Sequence, residues 1–160
     1  MNDISRHTLA VLVDNEAGVL SRVARLFSGK GYNIESLAVG TTHDPAVSRM
    51  TIECIGDAQI ITQIKSQLRK VVDVISVEEL KEDAVCRELF LVKVRANDTN
   101  RTAVMGVAEI YRARTLDVTP ETLVFEICGD RSKLESFFDM MKTYGIVEIA
   151  RTGVTAMDRG

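Results

Sequence analysis

The residues best placed to do chemistry lie at the two ends of one short predicted helix near the start of the chain. Asn15 and Gly18 come just before an apolar helical pattern that starts at Val19 and Leu20, and Asn33 follows it. A helix N-terminus presents unpaired backbone N–H groups and a partial positive charge. Glycine there has no Cβ, so a small anion can approach the backbone closely, and asparagine adds a donor and an acceptor. These residue types predict a site that holds a carboxylate.

Apolar side chains complete the predicted site. Val19, Leu20 and Ile34 would form an apolar slot beside the carboxylate, which suits a small apolar amino acid. A purely structural interpretation stays open on spacing alone. In that interpretation Asn15 and Gly18 form a turn and a helix cap, and the second asparagine ends a helix-to-strand loop.

Catalytic and metal-binding patterns are not found in the sequence. The two histidines, His7 and His43, have no nucleophile placed beside them by a motif, and we interpret both as solvated loop histidines. The three cysteines are far apart and contain no CxxC pair, so a zinc site or a disulfide framework is not predicted. We expect no catalytic residues and no metal ligands.

The composition excludes other classes of function. The chain has 160 residues, a net charge of -3, 46% hydrophobic and 27% charged residues, which is typical of a globular protein. Interspersed charges and 5% aromatic residues disfavour nucleic-acid binding. No apolar run approaches the roughly 18 residues of a membrane span, and the N-terminus has no signal-peptide pattern. We therefore expect a cytoplasmic protein without nucleic-acid or membrane partners.

The elements that must position the site follow the order βαββαβ. Helices are predicted to begin after Gly18 and at Gly56–Asp57, and Gly29 and Gly31 are predicted to stop the first one. The offset between Ile34 and Leu37 predicts an irregular start to the second strand. The four predicted strands are Thr8–Asp14, Asn33–Val39, Ser48–Cys54 and a segment marked by Val72, Val74 and Val77.

The second half of the chain repeats this order. "TIECIGD" in the first half matches "VFEICGD" in the second, and the charged segment Ser76–Val85 is interpreted as the join. The pattern predicts an α+β fold of two tandem ferredoxin-like βαββαβ domains, residues 1–80 and 81–160. Each half has only about 75 residues and an open sheet, so we expect at least a homodimer. The second set of predicted elements is strand Glu88–Val94, helix Asn100–Arg112, two strands turned at Pro120, helix Arg131–Gly145 and strand Ile146–Arg151.

The run "LVDNEAGVLSRVARLFSGKGYNIESL", followed by "DPAVSRMTIE", resembles the ACT domain of the small, regulatory subunits of acetolactate synthase (acetohydroxyacid synthase). The later segments "RELFLVKV", "LDVTPETLVFEICGDRSKLESFF" and "GIVEIARTG" resemble the same family. The resemblance covers essentially the whole chain, and the first run is specific.

The resemblance implies a non-catalytic subunit in branched-chain amino-acid biosynthesis. ACT domains bind amino acids at the interface of paired domains, and the family implies a homodimer that binds valine as its effector. The implied partner is the large catalytic subunit, which this chain would activate and make sensitive to valine. Thiamine diphosphate, magnesium and FAD would belong to that partner, and this chain would hold no cofactor. The residues carried over as effector-binding are Asn15, Gly18, Val19 and Leu20, faced by Asn33 and Ile34 from the partner subunit.

Two other functions remain open from the sequence. The first is a stand-alone ACT-type amino-acid sensor that regulates another enzyme or transcription, and the second is an intrinsic enzyme. Valine, leucine and isoleucine are not distinguished either, because one methylene in an apolar pocket is worth only about 1–3 kcal/mol.

Overall fold

The computed structural model describes residues 3–160, which divide into two compact units. The first contains the chain as far as Val85 together with Val154–Gly160, and the second is Cys86–Gly153. The boundary predicted from the sequence lies between residues 80 and 81, and it placed the C-terminal segment in the second domain. That segment joins the first unit through hydrogen bonds: the Val154 N–H donates to the Ser36 hydroxyl at 2.8 Å.

The first unit is a four-stranded antiparallel sheet with two helices, as predicted. Counted along the chain, the spatial order of its strands is second, third, first and fourth. The register shifts between Ile34 and Ser36, which confirms the predicted irregularity at the start of the second strand. The elements are β1 (Ser5–Asp14), α1 (Val19–Lys30), β2 (Ile34–Thr41), β3 (Val47–Gly56), α2 (Ala58–Leu68) and β4 (Val74–Glu79).

One face of this sheet forms the core with the two helices. The alternate strand residues that point to it are apolar, and the helices meet them with residues at 3.6-residue spacing. Helix α1 contributes Val19, Val23 and Phe27, all buried. Burial of this apolar stripe determines how α1 is oriented, and therefore which of its N-terminal groups remain accessible. The other core residues are Leu9, Val11, Val13, Met50, Ile52, Cys54, Ile61, Ile64, Leu68 and Val77.

Three details of the first unit differ from the sequence prediction. Gly29 lies inside α1, and only Gly31 ends the helix, because only Gly31 adopts the left-handed conformation, with φ +71°. Val72 lies before β4 and is 89% exposed, because the chain is still turning there. The charged segment interpreted as a join also contains the end of β4, which runs to Glu79.

The second unit has the same order of elements. Its four main strands have the same spatial order as those of the first unit, which is second, third, first and fourth along the chain. The short strand β9 (Thr155–Met157), which the sequence pattern did not predict, lies in the C-terminal segment of the first unit. Both halves therefore have the predicted ferredoxin-like βαββαβ fold. The elements are β5 (Val85–Arg95), α3 (Arg101–Ile110), β6 (Arg114–Val118), β7 (Thr122–Gly129), α4 (Arg131–Lys142) and β8 (Ile146–Arg151).

Candidate functional site

Helix α1 has an N-terminus without a side-chain cap. Gly18 precedes the helix with φ 87° and ψ -6°, in the left-handed region, and no side-chain cap is found within residues 3–160. The Gly18 carbonyl accepts the first helical hydrogen bond, from the Arg22 N–H at 3.0 Å. The N–H groups of the first turn are thus left for water or a ligand. Backbone donors of this kind are what a carboxylate would need, and the carboxylate site itself stays a prediction.

A cation lies beside this helix N-terminus, and the sequence did not single it out. A Cβ built on Gly18 would lie 3.1 Å from Nη1 of Arg22. The Arg22 Nε donates to Oδ2 of the buried Asp73 at 2.6 Å, and this hydrogen bond raises the pKa of Arg22 above its usual value. Asp73 therefore holds the guanidinium next to Gly18. The Arg22 guanidinium and the free N–H groups of the first turn of α1 therefore lie next to each other.

Asn15 supports the turn between β2 and β3. Its carboxamide donates to the Pro45 carbonyl at 2.9 Å and accepts from the Ser48 hydroxyl at 3.0 Å, while its backbone N–H donates to Ala46 at 2.8 Å. A primary carboxamide has two N–H groups and two lone pairs, so one of each remains available. Asn15 thus stabilises a turn, as the purely structural interpretation of the sequence proposed. Its remaining N–H group and lone pair could still contact a ligand.

Val19 and Leu20 differ in how far their side chains are exposed. Val19 is only 3% exposed and packs in the core, whereas Leu20 is 45% exposed. The sequence suggested that the Val19 side chain lines a surface slot. Because that side chain is buried, Val19 can present only its backbone N–H to a ligand. Leu20 presents apolar surface next to the helix N-terminus.

Asn33 and Ile34 lie at the far end of α1. The helix has 12 residues, and at a rise of about 1.5 Å per residue it separates its two ends by about 18 Å. The Asn33 carboxamide donates to Glu35, and Ile34 is partly buried against the first core. One copy of the chain therefore cannot close both groups of predicted residues around one amino acid.

His7 was predicted to be a solvated loop histidine, but it lies in a strand and contacts charged side chains. It lies in β1, where Nδ1 is 2.7 Å from Oε1 of Glu79 and Nε2 is 3.0 Å from the Ser5 hydroxyl. The Lys65 Nζ donates to the other Glu79 oxygen at 2.5 Å. These side chains form a cluster that joins β1, β4 and α2 and therefore serves the fold of the first unit.

This cluster predicts an acid-dependent contribution to stability. Burial acts to raise the pKa of Glu79, but hydrogen bonds from Lys65 and His7 outweigh it and hold that pKa below its usual range. A depressed carboxyl pKa stabilises the fold above the unfolded-state pKa of about 4.3, and the contribution is lost as the pH falls through the folded-state pKa. Glu79→Gln should therefore weaken the pH dependence of the unfolding free energy below about pH 4.3, measured by urea denaturation. Glu78→Gln, an exposed neighbour, should leave it unchanged.

Two further chemically reactive side chains of the described residues, Cys54 and His43, lie in different environments. Cys54 is buried, and burial raises the pKa of its thiol to about 11, so it stays protonated at neutral pH. His43 is exposed in the turn between β2 and β3. Among residues 3–160, no three metal-ligating side chains come together. No helix in this part of the chain is both long enough and apolar enough to cross a membrane.

Two protein-family models match consecutive parts of the chain. The AHAS small subunit-like ACT domain matches residues 9–76, and the model for the small subunit of acetolactate synthase matches residues 87–160. The chain belongs to the acetolactate synthase small-subunit family. All six predicted effector residues lie in the ACT region of this small subunit.

Individual small subunits match over nearly the full length. The acetolactate synthase isozyme 3 small subunit of Escherichia coli strain K12 is 46% identical over 157 residues, which is 97% of this chain and 96% of that protein. The acetolactate synthase small subunit of Aquifex aeolicus is 45% identical over 158 residues, 98% of this chain and 82% of that protein. The crystal structure of the acetolactate synthase small subunit from Thermotoga maritima superposes with a TM-score of 0.91 at 38% identity, covering 98% of both chains.

Proposed function

We propose that this small subunit activates the large catalytic subunit of acetolactate synthase and makes it sensitive to valine bound between two copies of the chain. Membership of the small-subunit family supports a regulatory role and a large-subunit partner. The observation that carries the valine proposal is the position of the predicted residues. An open, cationic helix N-terminus at Gly18 lies at one end of α1, and Asn33 and Ile34 lie at the other.

The order of the first sheet explains how a second copy would complete the site. Strand β2 is at the edge of this sheet, and an edge strand can pair with the same strand of another copy. Pairing about a two-fold axis is antiparallel, so the start of one β2 lies beside the end of the other. The start of β2 is Ile34, and its end is Thr41, which pairs with Ser48, the residue that donates to Asn15. Asn33 and Ile34 of one copy would thus approach Asn15 of the other.

In this arrangement each predicted site residue would contact a different part of the bound valine. The valine carboxylate accepts from the N–H groups of the first turn of α1 and from Arg22, where the helix dipole and the guanidinium both favour an anion. The exposed Leu20 and the partner copy's Ile34 contact the isopropyl group. The spare hydrogen-bonding capacity of Asn15 and Asn33 serves the ammonium group and the remaining carboxylate lone pairs.

Regulation follows from binding at an interface. A ligand held by two copies stabilises the arrangement of the pair that closes around it. If the large subunit is more active when the pair is not closed around valine, valine lowers its activity. The size of this effect is set by the difference in valine-binding free energy between the closed arrangement and the open one. In this proposal the chain has no catalytic residues of its own, and the thiamine diphosphate, magnesium and FAD are held by the large subunit.

The test is to combine the purified chain with its large subunit and follow acetolactate formation from pyruvate. We expect no turnover by the chain alone, a higher rate when it joins the large subunit, and a decrease in that rate as valine is added. Titrations with leucine and isoleucine identify the strongest effector. Turnover by the chain alone, or no effect on the large subunit, would contradict the proposal.

A further inference from the structure

A cavity lies on the face of the first sheet that is turned away from the helices. Along β3, Met50 and Ile52 point into the core with the helices, so Arg49 and Thr51 point to the opposite face. A cavity of about 470 Å³ opens there, formed by the ends of β2 and β3, the turn between them, and Thr155 of the C-terminal segment. This volume falls within the roughly 300–1,000 Å³ typical of small-molecule pockets.

Arg49 gives the cavity a positive charge. Its Nη2 donates to the Ala156 carbonyl at 2.6 Å, and no carboxylate within the described residues pairs with its guanidinium. None of the residues that line the cavity is acidic. Four of the five guanidinium N–H groups have no protein acceptor within the described part of the chain, and they are suited to an oxyanion.

Thr51 gives the cavity a hydroxyl group that the fold does not use. The residue is 2% exposed, yet no protein atom of the described chain hydrogen-bonds to its side chain. Within residues 3–160, every fully buried side-chain nitrogen or oxygen has a hydrogen-bond partner, so the Thr51 hydroxyl must be accessible from the cavity. A hydroxyl left without a partner at such a buried position is unfavourable unless water or a ligand binds it.

We propose that this cavity is a binding site for a small molecule with an anionic oxygen group, a carboxylate or a phosphate. Arg49 supplies charge-assisted hydrogen bonds, and the hydroxyl of Thr51 supplies a neutral one. The site is separate from the one proposed for valine, because Ser48, which binds Asn15, points to the helix side of the sheet. Both sites adjoin the turn between β2 and β3, so an occupant of the cavity acts on the same turn that Asn15 supports.

The proposal can be tested by NMR on the full-length chain. Sodium phosphate and sodium acetate are titrated separately at constant ionic strength, with sodium chloride as the balancing salt. We expect saturable shifts of the Thr41 and Thr51 amides with at least one of the two anions, and the lower midpoint identifies the preferred oxygen group. Arg49→Gln should raise the midpoint about tenfold or more, since hydrogen bonds to charged groups contribute about 1.5–3 kcal/mol.

Two further variants separate binding from structural damage. Thr51→Val removes only the hydroxyl, keeps the contact between Arg49 and Ala156, and should also weaken the shifts. Arg25→Gln, an exposed arginine on α1, should leave them unchanged. A valine titration of the same variants, read at the Leu20 amide, reports the other site independently. Shifts that do not saturate with either anion, or that persist unchanged in both Arg49→Gln and Thr51→Val, would overturn the proposal.

Discussion

Gly18→Asp is expected to abolish valine inhibition while the variant still activates the large subunit. The new side chain would start 3.1 Å from Nη1 of Arg22, so its carboxylate would take the cation that we assign to the effector. It would also repel the valine carboxylate at the helix N-terminus. Loss of one or two charge-assisted hydrogen bonds corresponds to a rise of about a hundredfold in the valine concentration for half-inhibition. The measurement is the rate of acetolactate formation as a function of valine.

Gly18→Asn is the matched control, because asparagine has the same shape without the charge and tolerates positive φ better than most residues. We expect a smaller rise in the half-inhibiting concentration than with Gly18→Asp. If Gly18 were only a turn residue, aspartate would cost some stability at its φ of +87°, but valine inhibition would persist in the folded variant. Normal valine inhibition in a folded Gly18→Asp variant would remove Gly18 from the site.

Phe27→Ala is expected to remove activation and inhibition together by destabilising the first unit. Phe27 is 1% exposed and packs edge-on against Tyr32, with ring centroids 6.4 Å apart. Truncation of a buried phenylalanine costs about 3–5 kcal/mol, which is a large part of the stability of a small domain. Urea denaturation followed by circular dichroism measures this loss of stability.

Leu26→Ala, on the same helix but only partly buried, is the control and should cost less. Equal costs for the two variants would mean that Phe27 does not anchor the helix. Gly18→Asp, in contrast, should lose inhibition at only the smaller stability cost of a non-glycine residue at positive φ. The pair distinguishes damage to the proposed site from damage to the element that carries it.

Much of the fold could be predicted because short-range patterns determine it. Periodic apolar residues give α1 and the strands, and the same order recurs in both halves. The predicted element boundaries are wrong where a local sequence pattern fits more than one structure. Gly29 and Gly31 are equally good helix stops in sequence, but only the backbone conformation at Gly31 ends the helix. Strand β9 has three residues and no periodicity, and its place depends on contacts made more than a hundred residues away in sequence, such as Arg49 to Ala156.

The candidate site was predictable only in part, for the same reason. The glycine and asparagine types around α1 are visible in the sequence. The pairing of Arg22 with Asp73 joins residues 51 positions apart, and no local pattern indicates it. The burial of Val19 follows from the exact rotation of α1 on the sheet, which periodicity gives only approximately.

In the proposed arrangement one valine is held by two copies of the chain, and mixed dimers test whether the site is shared. Gly18→Asp and Asn33→Ala chains with different affinity tags are coexpressed, and dimers that carry both tags are purified. In such a dimer one site has both substitutions, and the other has Gly18 from one copy and Asn33 from the other, both intact. Calorimetry should show no valine binding by either variant alone, about one valine per mixed dimer, and about two per wild-type dimer. Absence of binding by a folded mixed dimer, or normal binding by either variant alone, would contradict a site shared between two copies.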